Sequence, residues 1–442
     1  MNPPLRAASP RWLPLWITAT TLTLGPAAFA QSFPGTSVST APISVSTFAA
    51  AAESAALSTE PTVAVESVSV STEEVSNEVA LEDDREDEAA IVEAPVKTPP
   101  AAELAAPPGF EPMRGLHLTA WVAGTGRLRR QFLEKASGTV VNAIIVPVKE
   151  IDGHVYIPGV ASAREYGTQR LAIPRPEELV SDIHSAGMKA VARVVVFEDN
   201  LLARRKPEWA IQDVDGGVWQ NRKRLTWADP YRREVWDYNF EIAQRAADAG
   251  FDEIQFDYIR YPSDGELERC RYSNPHHSSS TAVSNLLDFL KAARSRFHSQ
   301  GIPVSTALFG LTTSADDDLG IGQDIDLMAA LVDAVSPMMY PSHYARGAYG
   351  LGHPNARPFE VIDYGLRDAT RRLGADAYKL RPYLQDFSLG VRYREHEVRE
   401  QFRALEGRGV PGWILWNPQN RYTWDALRAP APRSRITPPK GF

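Results

Sequence analysis

The chain has 442 residues, a formal net charge of -8 and one cysteine. One cysteine excludes an intramolecular disulfide framework and a cysteine-rich zinc module. The mildly acidic balance argues against a dedicated nucleic-acid-binding protein, which usually carries a basic surface. The length allows one large domain with appendages, or two to three smaller domains.

Residues 1–30 have the pattern of a secretory signal. Arg6 and Arg11 provide positive charge, an apolar run follows, and residues 28–30 (Ala-Phe-Ala) form a small-x-small cleavage pattern before Gln31. The apolar run is shorter than the roughly 20 residues that a membrane span needs; an uncleaved N-terminal anchor is the alternative. We therefore expect export to the periplasm or the extracellular space, without stable membrane insertion after cleavage.

Residues 31–108 form an acidic segment of simple composition, rich in Ala, Ser, Thr, Val, Glu and Pro. It holds 14 acidic residues against 2 basic ones, a net charge of -12, which leaves +2 for residues 109–442. So little bulky apolar surface cannot offset the chain entropy that ordering would cost. We interpret the segment as a disordered linker; an acidic arm that binds a partner or cations is the alternative.

From residue 109 onward, short β-branched runs alternate with longer amphipathic runs. The predicted strands are 115–122, 140–148, 189–197, 253–259, 303–309, 334–340, 380–385 and 412–416. The predicted helices are 128–136, 176–186, 231–249, 281–300, 324–332, 359–373 and 395–407. Eight strands that alternate with helices predict an α/β fold, a (β/α)8 barrel over residues 109–430, followed by a flexible tail at 431–442. The alternative is an open doubly wound sheet. Such a sheet usually has a glycine-rich phosphate-binding turn after its first strand, and residues 124–126 do not complete that motif.

The fourth predicted strand has a polar face. Strand side chains alternate between two faces. One face should pack against the helices and carries Ile254, Phe256 and Tyr258. The other face should point toward the barrel axis and carries Glu253, Gln255 and Asp257. Buried carboxylates are costly without partners, and catalytic groups of such barrels lie at the C-terminal strand ends. Asp257 is therefore a candidate catalytic residue, with turn capping or pairing with Arg260 as the alternative. Glu253 lies deeper, so we expect an ion pair, for which Arg193 is a candidate partner.

Three segments, in this order, carry a family resemblance: residues 251–262 (Phe-Asp-Glu-Ile-Gln-Phe-Asp-Tyr-Ile-Arg-Tyr-Pro), 336–344 (Ser-Pro-Met-Met-Tyr-Pro-Ser-His-Tyr) and 381–387 (Arg-Pro-Tyr-Leu-Gln-Asp-Phe). With them, nearly all of residues 112–425 resembles a bacterial family of glycoside-hydrolase-like domains of unknown function, related to alpha-amylase-type barrels. The resemblance implies a (β/α)8 barrel in which Asp257 is the nucleophile. It also implies an aspartate near the end of the second strand, where this chain has Pro147; Glu150 is a candidate substitute.

A second carboxylate is needed, because most glycosidases use two carboxyl groups. Asp386, which follows the seventh predicted strand, and Glu150, which follows the second, are the candidates. Asp199 and the acidic triplet 316–318 are further alternatives. A helix cap is the ordinary explanation for Asp199, and a solvated turn is the ordinary explanation for the triplet.

Sugar sites combine aromatic platforms with a few fixed polar groups. The predicted strand ends and the segments of the resemblance supply such groups, which we expect to bind substrate: Trp121, Lys149, Gln255, Arg260, Tyr340, His343, Tyr383, Trp416 and Asn417. His117 and Arg193 lie earlier in their strands and fit a buried polar network. No metal-ligand spacing or cofactor motif is visible, so we expect neither a metal nor a cofactor.

The sequence therefore predicts an exported glycoside hydrolase that cleaves a polysaccharide or oligosaccharide with a carboxylate pair. The partner we expect is a carbohydrate and not a nucleic acid. A non-catalytic carbohydrate-binding barrel is the main alternative. Another barrel enzyme, such as a lyase or a phosphate-ester enzyme, would need a metal cluster or a phosphate pocket.

Overall fold

The computed structural model describes Leu104 and residues 106–428, and these form a closed barrel of eight parallel strands. Each strand pairs with the next one in the chain, and the last pairs with the first, so that Gly115 lies opposite both Ala143 and Ile414. The strands are β1 (Arg114–His117), β2 (Ala143–Lys149), β3 (Lys189–Val195), β4 (Glu253–Asp257), β5 (Val304–Phe309), β6 (Ala334–Met338), β7 (Tyr383–Gln385) and β8 (Trp413–Trp416). The predicted barrel is confirmed. The predicted signal, most of the predicted linker and the predicted tail lie outside the described residues.

A helix follows each strand. These helices are α1 (Gly126–Ser137), α2 (Pro176–Ser185), α3 (Arg233–Asp248), α4 (Ser279–His298), α5 (Ile325–Ala329), α6 (Pro358–Leu373), α7 (Glu395–Gly407) and α8 (Trp424–Leu427). Helix α2 begins with Pro176 and two glutamates, as predicted, because proline and acidic residues suit a first helical turn. Across residues 106–428, no helix combines the length and the apolarity that a membrane span requires.

The outer face of β4 packs on the helix layer. The Phe256 ring lies 5.2 to 6.2 Å from the rings of Phe289 and Phe297 on α4 and of Phe240 on α3, measured between centroids. Tyr258 was predicted on this face, but it follows the end of the strand with a φ of 52°. The strand alternation therefore ends at Asp257.

The inner face of β4 forms polar contacts along the barrel axis, in three layers. In the lowest layer Glu253 accepts a hydrogen bond of 3.0 Å from Arg381. The sequence predicted Arg193 as this partner, and the structure shows Arg381 in its place. In the middle layer the Tyr383 hydroxyl donates to Gln255 Oε1 at 2.5 Å. In the upper layer Arg193 contacts Asp257. Arg193 lies beside Gln255 in the register of β3 and β4, midway between the two acids, and its guanidinium is directed to the upper layer, where it contacts Asp257 and Glu150.

Several strands end at a different residue than predicted, and β1 and β2 differ in ways that affect the site. β1 ends at His117 because residues Ala120–Gly124 form a short helix, which carries Trp121. In β2 the register with β3 shifts between Pro147 and Lys149, which marks a β-bulge. A bulge rotates the side chains that follow it.

Candidate active site

Asp257 lies at the C-terminal end of β4 and is 1% exposed. Its Oδ2 atom accepts hydrogen bonds from Arg193 Nε at 2.8 Å and contacts Arg193 Nη2 at 2.7 Å. Its Oδ1 atom accepts the backbone N–H of Tyr258 at 2.6 Å. Two nitrogens of one guanidinium therefore meet one oxygen of Asp257, and a backbone N–H meets the other.

Glu150 follows the bulge of β2 and reaches the same arginine. Its Oε1 atom lies 2.6 Å from Arg193 Nη1, and its side chain is 24% exposed. Two such contacts and the width of one guanidinium place the nearest oxygens of Glu150 and Asp257 within about 8 Å of each other. The structure therefore brings together two of the three predicted catalytic carboxylates.

The surroundings of Glu150 favour its protonated form. Burial raises the pKa of Glu150; the attraction of Arg193 opposes this shift, and the like charge of Asp257 adds to it. His117 Nε2 lies 3.9 Å from Glu150 Oε1. Burial, and then the charge of Arg193, hold the pKa of His117 well below its ordinary value, so this imidazole is neutral at pH 7.

Lys149 points away from this pair. Its side chain is fully buried, and its Nζ atom lies 2.8 Å from Asp199 and 2.5 Å from the Val195 carbonyl oxygen. It also lies 5.7 Å from the centre of the Tyr238 ring, on helix α3. The bulge thus directs Lys149 toward the helix layer and Glu150 toward the axis. Asp199 accepts the N–H of Leu202 and caps the helix Asn200–Arg205, as its ordinary explanation predicted.

An aromatic wall lies on the opposite side of the barrel mouth. Tyr340 follows β6, Phe387 follows β7 and Trp416 ends β8, with ring centroids 5.1 to 5.8 Å apart. Burial, followed by its neighbours Tyr383 and Asp257, raises the pKa of Tyr340, so its hydroxyl remains a donor. Trp416 is half-buried and can contact a ligand.

His343 extends this wall, with its ring 5.2 Å from that of Tyr340. Its Nδ1 atom lies 2.8 Å from the Ser342 hydroxyl, whereas its buried Nε2 atom has no hydrogen-bond partner among residues 106–428. Burial lowers the pKa of His343 to about 4. A neutral imidazole with one free nitrogen suits a hydrogen bond to a sugar hydroxyl.

Asp386 makes a different set of contacts. Its Oδ1 atom accepts the Thr423 hydroxyl at 2.6 Å, and its Oδ2 atom accepts the Thr423 N–H at 2.7 Å. Asn417 donates to the Asp386 carbonyl oxygen and to that of Arg421. Burial raises the pKa of Asp386 to about 6, although the bonds from Thr423 oppose the shift. Both predicted residues thus join the loops after β7 and β8.

The other predicted substrate-binding residues occupy three different positions. Gln255 and Tyr383 bond to each other below the carboxylates, as described above. Arg260 contacts Glu198 at 3.1 Å and lies 4.7 Å from the Trp227 ring, so it fastens the loops after β3 and β4. Trp121 lies at the rim and is 40% exposed.

Arg193 and Phe387 are the residues of this site that sequence reasoning did not select. Arg193 was assigned to a buried network because it lies inside β3, although its long side chain reaches the strand end. Phe387 was visible only as the last residue of the segment 381–387. Within residues 106–428, no group of three or more histidine, cysteine or acidic side chains could hold a metal ion.

A second concavity lies at the N-terminal end of the strands. This cavity of about 560 Å³ is lined by Met113, Glu253 and Arg381 among others. In barrel enzymes that end contributes to stability, and catalysis takes place at the other end. The carboxylate pair, and not this cavity, is therefore the candidate active site.

Comparisons with known proteins identify the family of the chain and its fold. Residues 115–422 match the model of a family described as "Putative glycosyl hydrolase domain". A hypothetical protein from Ruminiclostridium thermocellum is 32% identical over 43% of this chain and 96% of its own, with a TM-score of 0.40. The PgaB (BpsB) glycoside hydrolase domain from Bordetella bronchiseptica is 15% identical over 73% of this chain and 100% of its own, with a TM-score of 0.54, and shares the fold. A search of the curated proteins finds no match.

Proposed function

The chain belongs to the family of glycosyl hydrolase domains that it matches over residues 115–422, and from this premise we propose that Asp257 and Glu150 form its catalytic carboxylate pair. The substrate is a polysaccharide or an oligosaccharide. The observation that carries this assignment is the shared contact of both carboxylates with Arg193. This arrangement favours Glu150 over Asp386 as the second carboxylate, because Glu150 shares Arg193 with Asp257, whereas Asp386 bonds to Thr423 in the loop after β8.

The two carboxylates have different surroundings, which assigns them different roles. Asp257 receives three donors and is 1% exposed, so it acts as the anion that attacks or stabilises the anomeric carbon. Glu150 receives one arginine nitrogen and the Ile151 N–H, is more exposed than Asp257, and has a pKa that burial raises, so it acts as the acid that protonates the leaving oxygen. Arg193 contacts both groups and acts as a positioning residue.

The remaining side chains at the mouth fit the sugar. Trp416 offers a half-buried aromatic face, the Tyr340 hydroxyl is a donor, and His343 Nε2 is open for a hydrogen bond. An apolar face with few polar groups suits the C–H face and the hydroxyls of one sugar ring.

The test is hydrolysis of a panel of polysaccharides and oligosaccharides by the purified protein. We expect release of reducing ends from at least one glycan, and loss of that release in Asp257→Asn and in Glu150→Gln. Glu395→Gln, on the exposed surface of α7, is the matched control. Saturable glycan binding without any turnover would establish the alternative of a non-catalytic carbohydrate-binding barrel. Equal turnover by Asp257→Asn and the unchanged protein would refute the assignment.

We also propose export through the signal at residues 1–30, followed by cleavage before Gln31. The positively charged start, the apolar run and the cleavage pattern support this proposal. N-terminal sequencing of the protein from the producing cell should begin at Gln31. An intact Met1 on the protein would contradict cleavage.

A further inference from the structure

Trp121 is an exposed aromatic residue at the rim of the barrel mouth. Among the described residues it is the only aromatic one in the set of exposed large apolar side chains, with 40% of its surface accessible. Leu171, which is 50% exposed, follows Arg170, whose guanidinium lies 4.9 Å from the Trp121 ring centre. An exposed aromatic ring at the mouth that holds the candidate active site offers a face that a sugar can cover.

The position of Trp121 is fixed by packing. Gly124 lies against the backbone of the β2–α2 loop so closely that an added Cβ atom would be 1.8 Å from the Ala172 carbonyl oxygen. The Thr125 hydroxyl donates to the Trp121 carbonyl oxygen at 2.8 Å, and the Tyr156 ring lies 6.4 Å from the Trp121 ring. The aromatic ring is therefore held in place while much of it faces solvent.

Trp121 stands on the same side of the mouth as Glu150. The chain turns back after Glu150, so that Val155 pairs with Lys149 and the Tyr156 N–H bonds to the Val148 carbonyl oxygen at 2.8 Å. Tyr156, the ring neighbour of Trp121, is thus carried by the same turn as Glu150. Tyr340 and Phe387 of the aromatic wall instead follow β6 and β7, on the far side of the barrel, and only Trp416 ends a strand that pairs with β1.

The side on which the acid lies determines where the leaving group lies. The acid protonates the oxygen that joins the cleaved sugar to its leaving group. The leaving group therefore lies next to Glu150, and Trp121 is the exposed aromatic face beside it. Sugars present apolar C–H faces that aromatic rings can cover.

We propose that Trp121 is the platform for a sugar ring on the leaving-group side, so that the substrate is a glycan in which two sugars flank the cleaved bond. This inference rests on the proposed function, because it takes Glu150 as the acid. In this proposal Trp121 determines the substrate specificity of the site. The site prefers substrates whose leaving group is a sugar over glycosides whose leaving group is small.

The experiment compares two substrates that differ only in the leaving group. One is the shortest oligosaccharide that the glycan panel shows to be cleaved, and the other is the glycosyl fluoride of the sugar that is released. In Trp121→Ala we expect kcat/KM for the oligosaccharide to fall by about tenfold or more. The value for the fluoride should change by less than about twofold, because fluoride cannot contact the platform.

Two further variants separate this role from a structural one. Trp121→Phe keeps an aromatic face and should recover most of the oligosaccharide activity. Leu327→Ala removes another exposed apolar side chain, on α5, and should leave both substrates unaffected. An equal loss on both substrates in Trp121→Ala, or no loss on either, would overturn the platform. Full activity of Glu150→Gln on the oligosaccharide would instead overturn the proposed function, so the two failures are distinguishable.

Discussion

Arg193 is the residue on which the charge arrangement of the mouth depends. Its side chain is 11% exposed and contacts one carboxylate on each side. Without the guanidinium, the buried Asp257 carboxylate would keep only the Tyr258 N–H as a donor and would face Glu150 with no positive charge between them.

We expect Arg193→Met to lower the free energy of unfolding by about 3 kcal/mol, since it leaves buried charges without a partner. Arg193→Lys keeps the charge but cannot contact both carboxylates in the fork geometry of arginine. It should therefore retain more of the stability than Arg193→Met while losing most of the turnover. Denaturant unfolding together with glycan turnover measures both effects. Normal turnover in Arg193→Lys would show that the shared contact is dispensable.

Glu150 should control the alkaline limb of the pH profile. Because burial raises the pKa of Glu150, the acid form should persist above its ordinary pKa, and kcat/KM should fall as pH rises through the raised value. In the unchanged protein this limb should be present for the oligosaccharide and absent for a glycosyl fluoride, which needs little protonation. Glu150→Gln should lose oligosaccharide cleavage but keep much of its activity on the fluoride. Full oligosaccharide cleavage by Glu150→Gln would point to another acid.

Asp386 should affect stability more than catalysis. Asp386→Ala removes both acceptors of Thr423, so we expect a loss of about 2 kcal/mol in the free energy of unfolding, with kcat/KM within about twofold of the unchanged value. A collapse of kcat as large as that of Asp257→Asn would instead support Asp386 as a catalytic residue.

The pH dependence of stability provides a second test of Asp386. Burial raises its pKa to about 6 in the folded protein, so the folded state binds a proton that the unfolded state releases near pH 4. The contribution of Asp386 to stability should therefore fall as pH rises from about 4 to above 6. This part of the slope should be absent in Asp386→Asn, measured by thermal unfolding at several pH values.

At the scale of elements, the short helix Ala120–Gly124 depends on its last residue. In Gly124→Ala the new Cβ atom would clash with the Ala172 backbone, so we expect a loss of at least about 2 kcal/mol in the free energy of unfolding. Gly407→Ala, at the end of α7, meets nothing within 4 Å and should be neutral or stabilising by up to about 1 kcal/mol. Equal melting temperatures for the two variants would contradict the close approach.

The elements also show how far the sequence predicts the site. The alternation in β4 correctly placed Glu253, Gln255 and Asp257 on the axis, because a regular strand has a period of two. Lys149 was expected to bind substrate, but the bulge in β2 places it toward the helix layer and Glu150 toward the axis. A bulge depends on pairing with the neighbouring strand, and one strand's sequence does not reveal it.

Side-chain reach is the other quantity that the sequence did not provide. Arg193 lies in the middle of β3, yet its guanidinium acts at the strand end. The eight strands and the helices between them were predictable because each is a distinct apolar run. The partner of each polar group, such as Arg381 for Glu253, depends on the three-dimensional register of strands that are far apart in the chain.

At the scale of the whole molecule, the segment before β1 closes the base of the barrel. The Phe110 ring packs edge-on against Tyr378, with centroids 5.3 Å apart. The Pro112 carbonyl oxygen accepts from Asn142, and that of Met113 accepts the Trp413 N–H.

A chain that begins at residue 104 retains Leu104, which packs against the core, and should therefore keep the melting temperature and the turnover of the full-length protein. A chain that begins at residue 114 loses these contacts, and we expect its melting temperature to fall by at least about 5 °C. Scanning calorimetry of the three proteins measures the difference. A lower melting temperature for the chain that begins at residue 104 would assign a stabilising role to the preceding residues.

The polar layers along the barrel axis limit how this protein can evolve. Each layer pairs groups from different strands, so a single substitution in one layer leaves its partner buried and unsatisfied. Replacement of Glu253 is harmful while Arg381 remains, and the reverse also holds. During evolution, a layer can therefore change only when both partners are substituted together or in quick succession. We expect this dependence to appear as covariation between the inward-facing positions of β4 and their partners in β7 or just before it.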